Sequence, residues 1–136
     1  MLPILVSILG LSLLVIVHES GHYLVARAFG IRVTRFSIGF GPVLAKYQPK
    51  GSSTVFQIGA IPFLAYVMYM NPEDEADPHD RGLYTNKGVV ARALTVLGGP
   101  LANYVAASAM IFGLAVSGWR VEVPREPMVV DAEVGS

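Results

Sequence analysis

Cysteine is absent from the 136-residue chain, which excludes disulfide bonds and zinc sites built from thiolates. Charged residues are scarce as well, at 15% of the chain, whereas roughly 25% is usual in soluble domains. The formal net charge is zero, so the composition indicates no nucleic-acid partner. Hydrophobic residues make up 53% of the chain, which is typical of a membrane protein rather than a soluble one.

The N-terminal apolar run lacks the features of a secretory signal peptide. No Lys or Arg precedes Arg27, and no small-x-small cleavage site follows the run from Met1 to Val17. A span of about 30 Å needs roughly 20 helical residues. We therefore predict that residues 1–30 form a retained transmembrane helix, which Gly30 ends.

Histidine is rare, but two of the three histidines stand in one motif. His18 and His22 belong to the sequence His-Glu-x-x-His, and four residues separate them, so both lie on one face of a helix. Both imidazoles can then reach one metal ion, and Glu19 can hold a water molecule and take its proton. The alternatives are a chance match and a satisfied core histidine. Ionisable groups at membrane depth are costly and usually functional, so the metal site is favoured.

The segment of residues 31–87 changes from helical to alternating patterns. We predict three strands, interrupted by Gly39-Phe40-Gly41-Pro42 and by Pro62, at residues 31–40, 43–47 and 54–61. Residues 63–70 are too short to span a bilayer, so we expect them to lie against it or dip into it. The alternative is a buried strand of a small soluble domain. Residues 71–80 form an acidic loop around His79, for which an exposed loop is favoured over a metal cluster.

A second transmembrane helix is predicted at residues 88–118, with Gly98-Gly99-Pro100 inside it. Asn103 is a candidate for a hydrogen bond to a neighbouring helix, or equally a polar packing residue without a catalytic part. Residues 119–136 have strand character but are too few to close a core. Eight Lys or Arg lie from Arg27 to Arg92, and this positive charge places the segment between the helices in the cytoplasm.

Together these features resemble the site-2 protease family of intramembrane zinc metalloproteases, in its bacterial branch with extracytoplasmic PDZ domains. The motifs that match are His18-Glu19-Ser20-Gly21-His22, Phe36-Ser37-Ile38-Gly39-Phe40-Gly41-Pro42 and Gly99-Pro100-Leu101-Ala102-Asn103. One departure is Pro62-Phe63-Leu64-Ala65-Tyr66-Val67, where the family usually shows Gly-Gly-Tyr. The resemblance implies an α-helical membrane protein, with two transmembrane helices of a larger protease core and a membrane-associated β-hairpin region between them. Residues 119–136 would then begin an extracytoplasmic, truncated PDZ-like domain.

The resemblance also implies a function and a site. It implies a zinc metalloendopeptidase of the bacterial inner membrane that cleaves transmembrane segments of regulatory proteins, such as anti-sigma factors. His18 and His22 would bind Zn²⁺ and Glu19 would be catalytic. The third ligand, an Asp, would lie outside this chain, so the chain alone is expected to be inactive. Its partners would be the transmembrane substrate, which the strand of residues 54–61 could bind by β-addition, and the lipid bilayer.

Two alternatives from other classes stay open. One is a non-catalytic protein that binds metal or holds substrates, in effect a pseudoprotease. The other is a transporter-like structural membrane protein in which the histidine pair is incidental.

Overall fold

The computed structural model describes residues 1–71, 73 and 77–118. Two long helices, α1 (Leu2–Ala28) and α2 (Val89–Val116), flank a two-stranded antiparallel sheet of β1 (Val33–Tyr47) and β2 (Val55–Tyr69). A short 3-10 turn, Tyr84–Asn86, precedes α2. The predicted PDZ-like start at residues 119–136 lies outside the described residues.

Local backbone geometry ends α1 at the expected glycine. Gly30 has φ of 68°, in the left-handed region that favours glycine. Its N–H donates to the carbonyl of Arg27, and the N–H of Ile31 donates to the carbonyl of Ala26. This pair of bonds is a Schellman motif, and the contact between Ile31 and Ala26 supplies its apolar part. The chain therefore leaves α1 in a fixed direction and enters β1 three residues later.

Both helices are long and apolar enough to cross a membrane, and very little of either is buried. Each most apolar window is only 6% buried within the structure. Large apolar side chains are exposed around the first half of α1, including Leu5, Leu9 and Leu13. An apolar surface of this extent is unusual on soluble monomers.

The helices touch where glycines face each other. A Cβ on Gly98 would lie 2.7 Å from the carbonyl oxygen of Gly21, and a Cβ on Gly21 would lie 2.6 Å from Cβ of Ala102. Neither position has room for a side chain. Small residues at a crossing let helix backbones approach closely, as in membrane helix pairs. This contact fixes α2 beside the second half of α1.

The sheet differs from the sequence-based prediction of three strands. Gly39-Phe40-Gly41-Pro42 lies within β1, and Pro62 lies within β2 instead of ending it. Residues 63–69 continue β2, and the expectation that residues 63–70 lie against the bilayer or dip into it stays a prediction. They are not a buried strand, since Phe63 and Leu64 are exposed. Proline is tolerated at strand edges and irregular positions, and the register of this sheet is irregular around Pro62.

The register shows that both strands bend. Residues 35–38 of β1 have partners on two sides: residues 65–68 antiparallel on one, and residues 55–58 running in the same direction on the other. Residues 43–47 pair with residues 56–59. The segments therefore lie in the order 43–47, 55–59, 33–38 and 65–69. At the crossing, a Cβ on Gly39 would lie 2.8 Å from the Ile61 carbonyl oxygen, so glycine is required there.

A small core joins the sheet to the end of α1. Ala26, Ile31 and Val33 are buried, with Tyr23, Val67, Tyr69 and Tyr84 packed around them. Arg32 holds the loop before α2 in two ways. Its guanidinium lies 2.7 Å from the Asp80 carboxylate, and its backbone N–H donates to the Gly82 carbonyl. Tyr69 and Tyr84 are thereby placed beside the second half of α1.

Candidate metal centre

The structure brings the three predicted site residues together. His18 and His22 are one turn apart on α1, and their ring centroids are 4.8 Å apart at an interplanar angle of 83°. The ligand-capable atoms of His18, Glu19 and His22 all lie within 4.8 Å of one another, and all three residues are half-buried. His79 joins no such cluster among the residues that the structure describes.

Gly99 of α2 lies against both histidines. A Cβ on residue 99 would lie 2.6 Å from Nε2 of His18 and 2.7 Å from Cε1 of His22, and closer still to Nε2 of His22. Both Nε2 atoms therefore lie so close to the α2 backbone that only glycine fits at position 99. Two imidazole nitrogens that converge in this way, with a carboxylate oxygen within 4.8 Å of them, are the kind of donor set that zinc prefers. The residues present fit the zinc ion that the motif implies.

A backbone carbonyl of α2 holds the second histidine. Nδ1 of His22 lies 2.8 Å from the carbonyl oxygen of Thr95. A carbonyl can only accept, so Nδ1 carries the proton and donates it. Nε2 of His22 is then the unprotonated nitrogen and is free to bind a metal, an arrangement common among metal-binding histidines.

The first histidine also has a partner on α2. The side-chain amide of Asn103 lies 3.2 Å from Nδ1 of His18. Asn103 therefore makes the hydrogen bond to a neighbouring helix that was one of its two predicted roles. Its other amide atom, Oδ1, is buried without a hydrogen-bond partner.

Glu19 forms part of the wall of two clefts. One, of about 310 Å³, is lined by Leu14, Val15, His18, Glu19 and Asn103. The other, of about 230 Å³, is lined by Glu19, His22, Val67, Tyr69, Tyr84 and Val96. The carboxylate thus lies between a cleft at the two helices and a cleft at the end of β2. A peptide that entered the second cleft would meet both Glu19 and His22.

Tyr69 is a polar group of this second cleft. Its ring stacks on Tyr84 with centroids 5.3 Å apart. Burial, then the negative charge of Glu19, then Tyr84 raise the pKa of Tyr69 to about 12. The phenol therefore stays protonated at physiological pH and remains a hydrogen-bond donor.

One of the two outer edges of the sheet lies at the same cleft. Among the described residues, residues 65–69 have sheet partners only in the first part of β1, whereas residues 55–58 have partners on both sides. The segment of residues 54–61 is therefore not available for β-addition along most of its length. Residues 43–47 form one outer edge, and residues 65–69, which include Val67 and Tyr69 of the cleft, form the edge that can accept another strand at the candidate site.

Sequence reasoning missed several of these residues. Gly99 was named as a glycine tolerated in a membrane helix and as part of a motif of the family, but not as a residue of the site, although its spacing from Thr95 and Asn103 was visible. Residues 95, 99 and 103 are four apart and lie on one face of α2. The sequence around Tyr69 and Tyr84 does not indicate a role at the site, because the two residues meet only through the turn before α2.

A helix that carries His-Glu-x-x-His with both histidines on one face is typical of the class of metal-dependent peptidases. Comparison with known proteins agrees. The pattern of peptidase family M50 matches residues 6–132. The chain belongs to this family, which is the site-2 protease family, and the resemblance drawn from the sequence is confirmed.

Relatives of the chain are named as metalloproteases. A protein of Nostoc sp., named as a candidate zinc metalloprotease, is 40% identical over 106 residues, covering 76% of this chain and 29% of the relative. "Membrane metalloprotease ARASP, chloroplastic" of Arabidopsis thaliana is 36% identical over 111 residues, covering 80% and 24%. "Regulator of sigma E protease" of Haemophilus influenzae is 39% identical over 100 residues, covering 72% and 22%. The chain spans about a quarter of the length of these curated relatives.

Proposed function

We propose that the chain supplies the first part of the active site of an intramembrane zinc metalloprotease, in which His18 and His22 bind zinc and Glu19 is the general base. One observation carries the proposal: the ligand-capable atoms of His18, Glu19 and His22 all lie within 4.8 Å of one another. The His22–Thr95 hydrogen bond supports it, because it leaves Nε2 of His22 unprotonated.

The chemistry divides between the ion and the chain. Zinc, when bound, supplies Lewis acidity, which makes a water molecule more acidic and polarises a carbonyl. Glu19 takes a proton from the attacking water as the water oxygen adds to the scissile carbonyl carbon. Glu19 then returns that proton to the amide nitrogen as the carbon–nitrogen bond breaks. The third protein ligand, an Asp, belongs to a part of the protein outside this chain.

The site would lie inside a membrane. The exposed apolar surfaces of α1 and α2 support this placement, because a hydrocarbon environment removes the cost of exposing them to water. The positive charge between the helices supports a cytoplasmic location for the sheet, with the histidines in the cytoplasmic half of a bacterial inner membrane. Residues 119–136 would then begin the PDZ-like domain on the opposite side.

The substrate would be a transmembrane segment of a regulatory membrane protein, locally unwound. The relative named "Regulator of sigma E protease" supports a substrate of the anti-sigma-factor type. We expect the unwound segment to add as a strand to the edge of residues 65–69, which lies at the cleft of Glu19 and His22. Such pairing holds the peptide by its backbone and places no strict demand on its sequence.

Two substitutions in the full-length protein that contains this chain test the proposal. Glu19→Gln should abolish cleavage of a transmembrane reporter substrate in proteoliposomes but keep bound zinc, because the amide cannot take a proton. His18→Ala should lower both zinc content and cleavage. Glu73→Gln and His79→Ala are the matched controls in the loop before α2 and should leave both quantities unchanged. Cleavage that survives Glu19→Gln would show that Glu19 is not the base, and zinc unaffected by His18→Ala would eliminate the metal site.

Those variants also separate the proposal from a substrate-holding pseudoprotease. The pseudoprotease hypothesis predicts substrate co-purification without cleavage by the wild-type protein. Cleavage by the wild type that Glu19→Gln abolishes supports the enzyme.

A further inference from the structure

We propose that Asn103 is a positioning residue for His18: its amide oxygen accepts the Nδ1–H of His18 and so leaves Nε2 of His18 unprotonated and directed at the space beside Gly99. The inference rests on the proposed function, because it concerns a histidine that acts as a metal ligand. Asn103 itself touches neither the metal nor the substrate in this role.

The first step is the proton count on the imidazole. A neutral histidine carries one ring proton, and a nitrogen that binds a metal cannot carry it. If Nε2 of His18 faces the metal, Nδ1 holds the proton and needs an acceptor. The amide of Asn103 is 3.2 Å from Nδ1 and is the group that α2 places there.

The second step is the orientation of that amide. The coordinates place the nitrogen Nδ2 toward His18, and the oxygen Oδ1 is buried with no partner. The two atoms of an asparagine amide have nearly the same shape, so their assignment follows from the hydrogen bonds they make. An amide N–H facing Nδ1 would put the ring proton on Nε2, in the space in front of Gly99. When the amide is turned, Oδ1 accepts a hydrogen bond from the Nδ1–H, and Nε2 carries no proton.

The third step is the match with His22. Thr95 supplies a carbonyl oxygen to Nδ1 of His22 at 2.8 Å, where only one proton position is compatible. Both histidines must present Nε2 to the same space, so both need an acceptor at Nδ1. Thr95, Gly99 and Asn103 follow at intervals of four along one face of α2. One face of α2 therefore provides a hydrogen-bond acceptor, a glycine that lets both imidazoles approach, and a second acceptor, opposite His22 and His18 of α1.

The unpaired amide atom does not distinguish the two orientations. Turning the amide moves Nδ2 to the buried position that Oδ1 has in the structure, so one amide atom lacks a partner among the described residues in either case. The proton on Nδ1 of His18 is therefore what favours the turned amide.

The test measures zinc affinity in the full-length protein, by competition with a chromophoric chelator. Asn103→Leu keeps a similar size but removes the acceptor, and we expect zinc affinity to fall about 10–100-fold, the usual effect of losing such a partner. Asn103→Asp keeps an oxygen that accepts from Nδ1–H, and its affinity should stay within about threefold of wild type or rise. Ser108→Leu, at an exposed position of the same helix, is the control and should change nothing.

Each outcome decides the question. Wild-type zinc affinity in Asn103→Leu overturns the inference. Equal losses in Asn103→Leu and Asn103→Asp also overturn it, since they indicate packing rather than hydrogen bonding. If Asn103→Leu does not fold, Asn103→Asp alone decides, because its zinc affinity must survive. Zinc binding that is unchanged in His18→Ala contradicts the proposed function instead. Failure of the Asn103 inference is therefore distinguishable from failure of the proposed function.

Discussion

Gly21 of α1 and Gly98 of α2 are in backbone contact, and a Cβ on Gly98 would lie 2.7 Å from the carbonyl oxygen of Gly21. The next residue on each helix belongs to the candidate metal centre, because His22 follows Gly21 and Gly99 follows Gly98. The closeness of the two backbones therefore determines how far α2 lies from the histidines. The contact of Gly21 with Gly98 therefore affects both the packing of the two helices and the geometry of the candidate metal centre.

Gly99→Ala should remove zinc without unfolding the helix. The added methyl group would collide with Nε2 of both histidines and displace their rings, while alanine is the better helix former. We expect zinc content in the full-length protein to fall at least about tenfold, as measured by elemental analysis, with the helical circular dichroism unchanged. Gly113→Ala on the same helix is the matched control, because a Cβ there meets nothing within 4 Å. Retained zinc in Gly99→Ala would contradict the location of the site.

Gly21→Ala should destabilise the helix pair. Its Cβ would collide with the Gly98 backbone and with Cβ of Ala102, so the helices must separate. Overpacking of this kind costs about 1–3 kcal/mol, which unfolding in a mixed-detergent titration can measure. Gly10→Ala, in the open part of α1, should be neutral or slightly stabilising. Equal stability of the two variants would show that the glycine contact is not tight in the protein.

Tyr69 should make the protein less stable in strong base. Its pKa in the folded state is about 12, above the ordinary value of 10.0, so the folded state holds the phenolic proton more tightly than the unfolded chain. The resulting stabilisation is complete below about pH 10 and is lost as the pH rises to about 12. Tyr69→Phe should flatten this part of the curve of unfolding free energy against pH.

The comparison for Tyr69 is Tyr104→Phe, since Tyr104 is exposed on α2. That variant should keep the wild-type loss of stability in base. Tyrosinate absorbance in a pH titration gives an independent measurement, and the signal lost in Tyr69→Phe should have its midpoint at about pH 12. A Tyr69 signal that titrates near pH 10 would contradict the burial and the influence of Glu19.

The substrate edge can be located by crosslinking, because the chain has no cysteine of its own. Met68→Cys should form a disulfide with a cysteine placed near the cut site of a bound substrate. Ile58→Cys is the control: the side chains are similarly exposed, at 40% for Met68 and 47% for Ile58, but the Ile58 backbone lies inside the sheet. Both variants are made in a full-length protein whose other cysteines are replaced. Preferential crosslinking at the cysteine of Ile58→Cys would show that the substrate binds beside residues 54–61 and would contradict the proposed edge.

Short-range physics explains which features could be predicted. The placing of His18 and His22 on one face follows from the helical repeat, and the end of α1 follows from one glycine. Strand limits were harder, because the irregular pairing at Gly39 and Pro62 depends on which segment lies beside each strand. For the same reason, the sequence pointed to residues 54–61 as the strand that binds substrate, whereas the proposal based on the structure uses residues 65–69. A strand is available only if no other strand pairs with it, and the local sequence does not contain that information.

By itself, the sequence determined the two apolar helices, the histidine pair and the glycine that ends α1, because hydropathy and helical periodicity act over a few residues. Only the tertiary structure decided that Thr95, Gly99 and Asn103 face that pair. His22 and Thr95 are 73 residues apart in the chain, and His18 and Asn103 are 85 apart. Their meeting depends on where the two helices cross, and the contact of Gly21 with Gly98 sets that crossing.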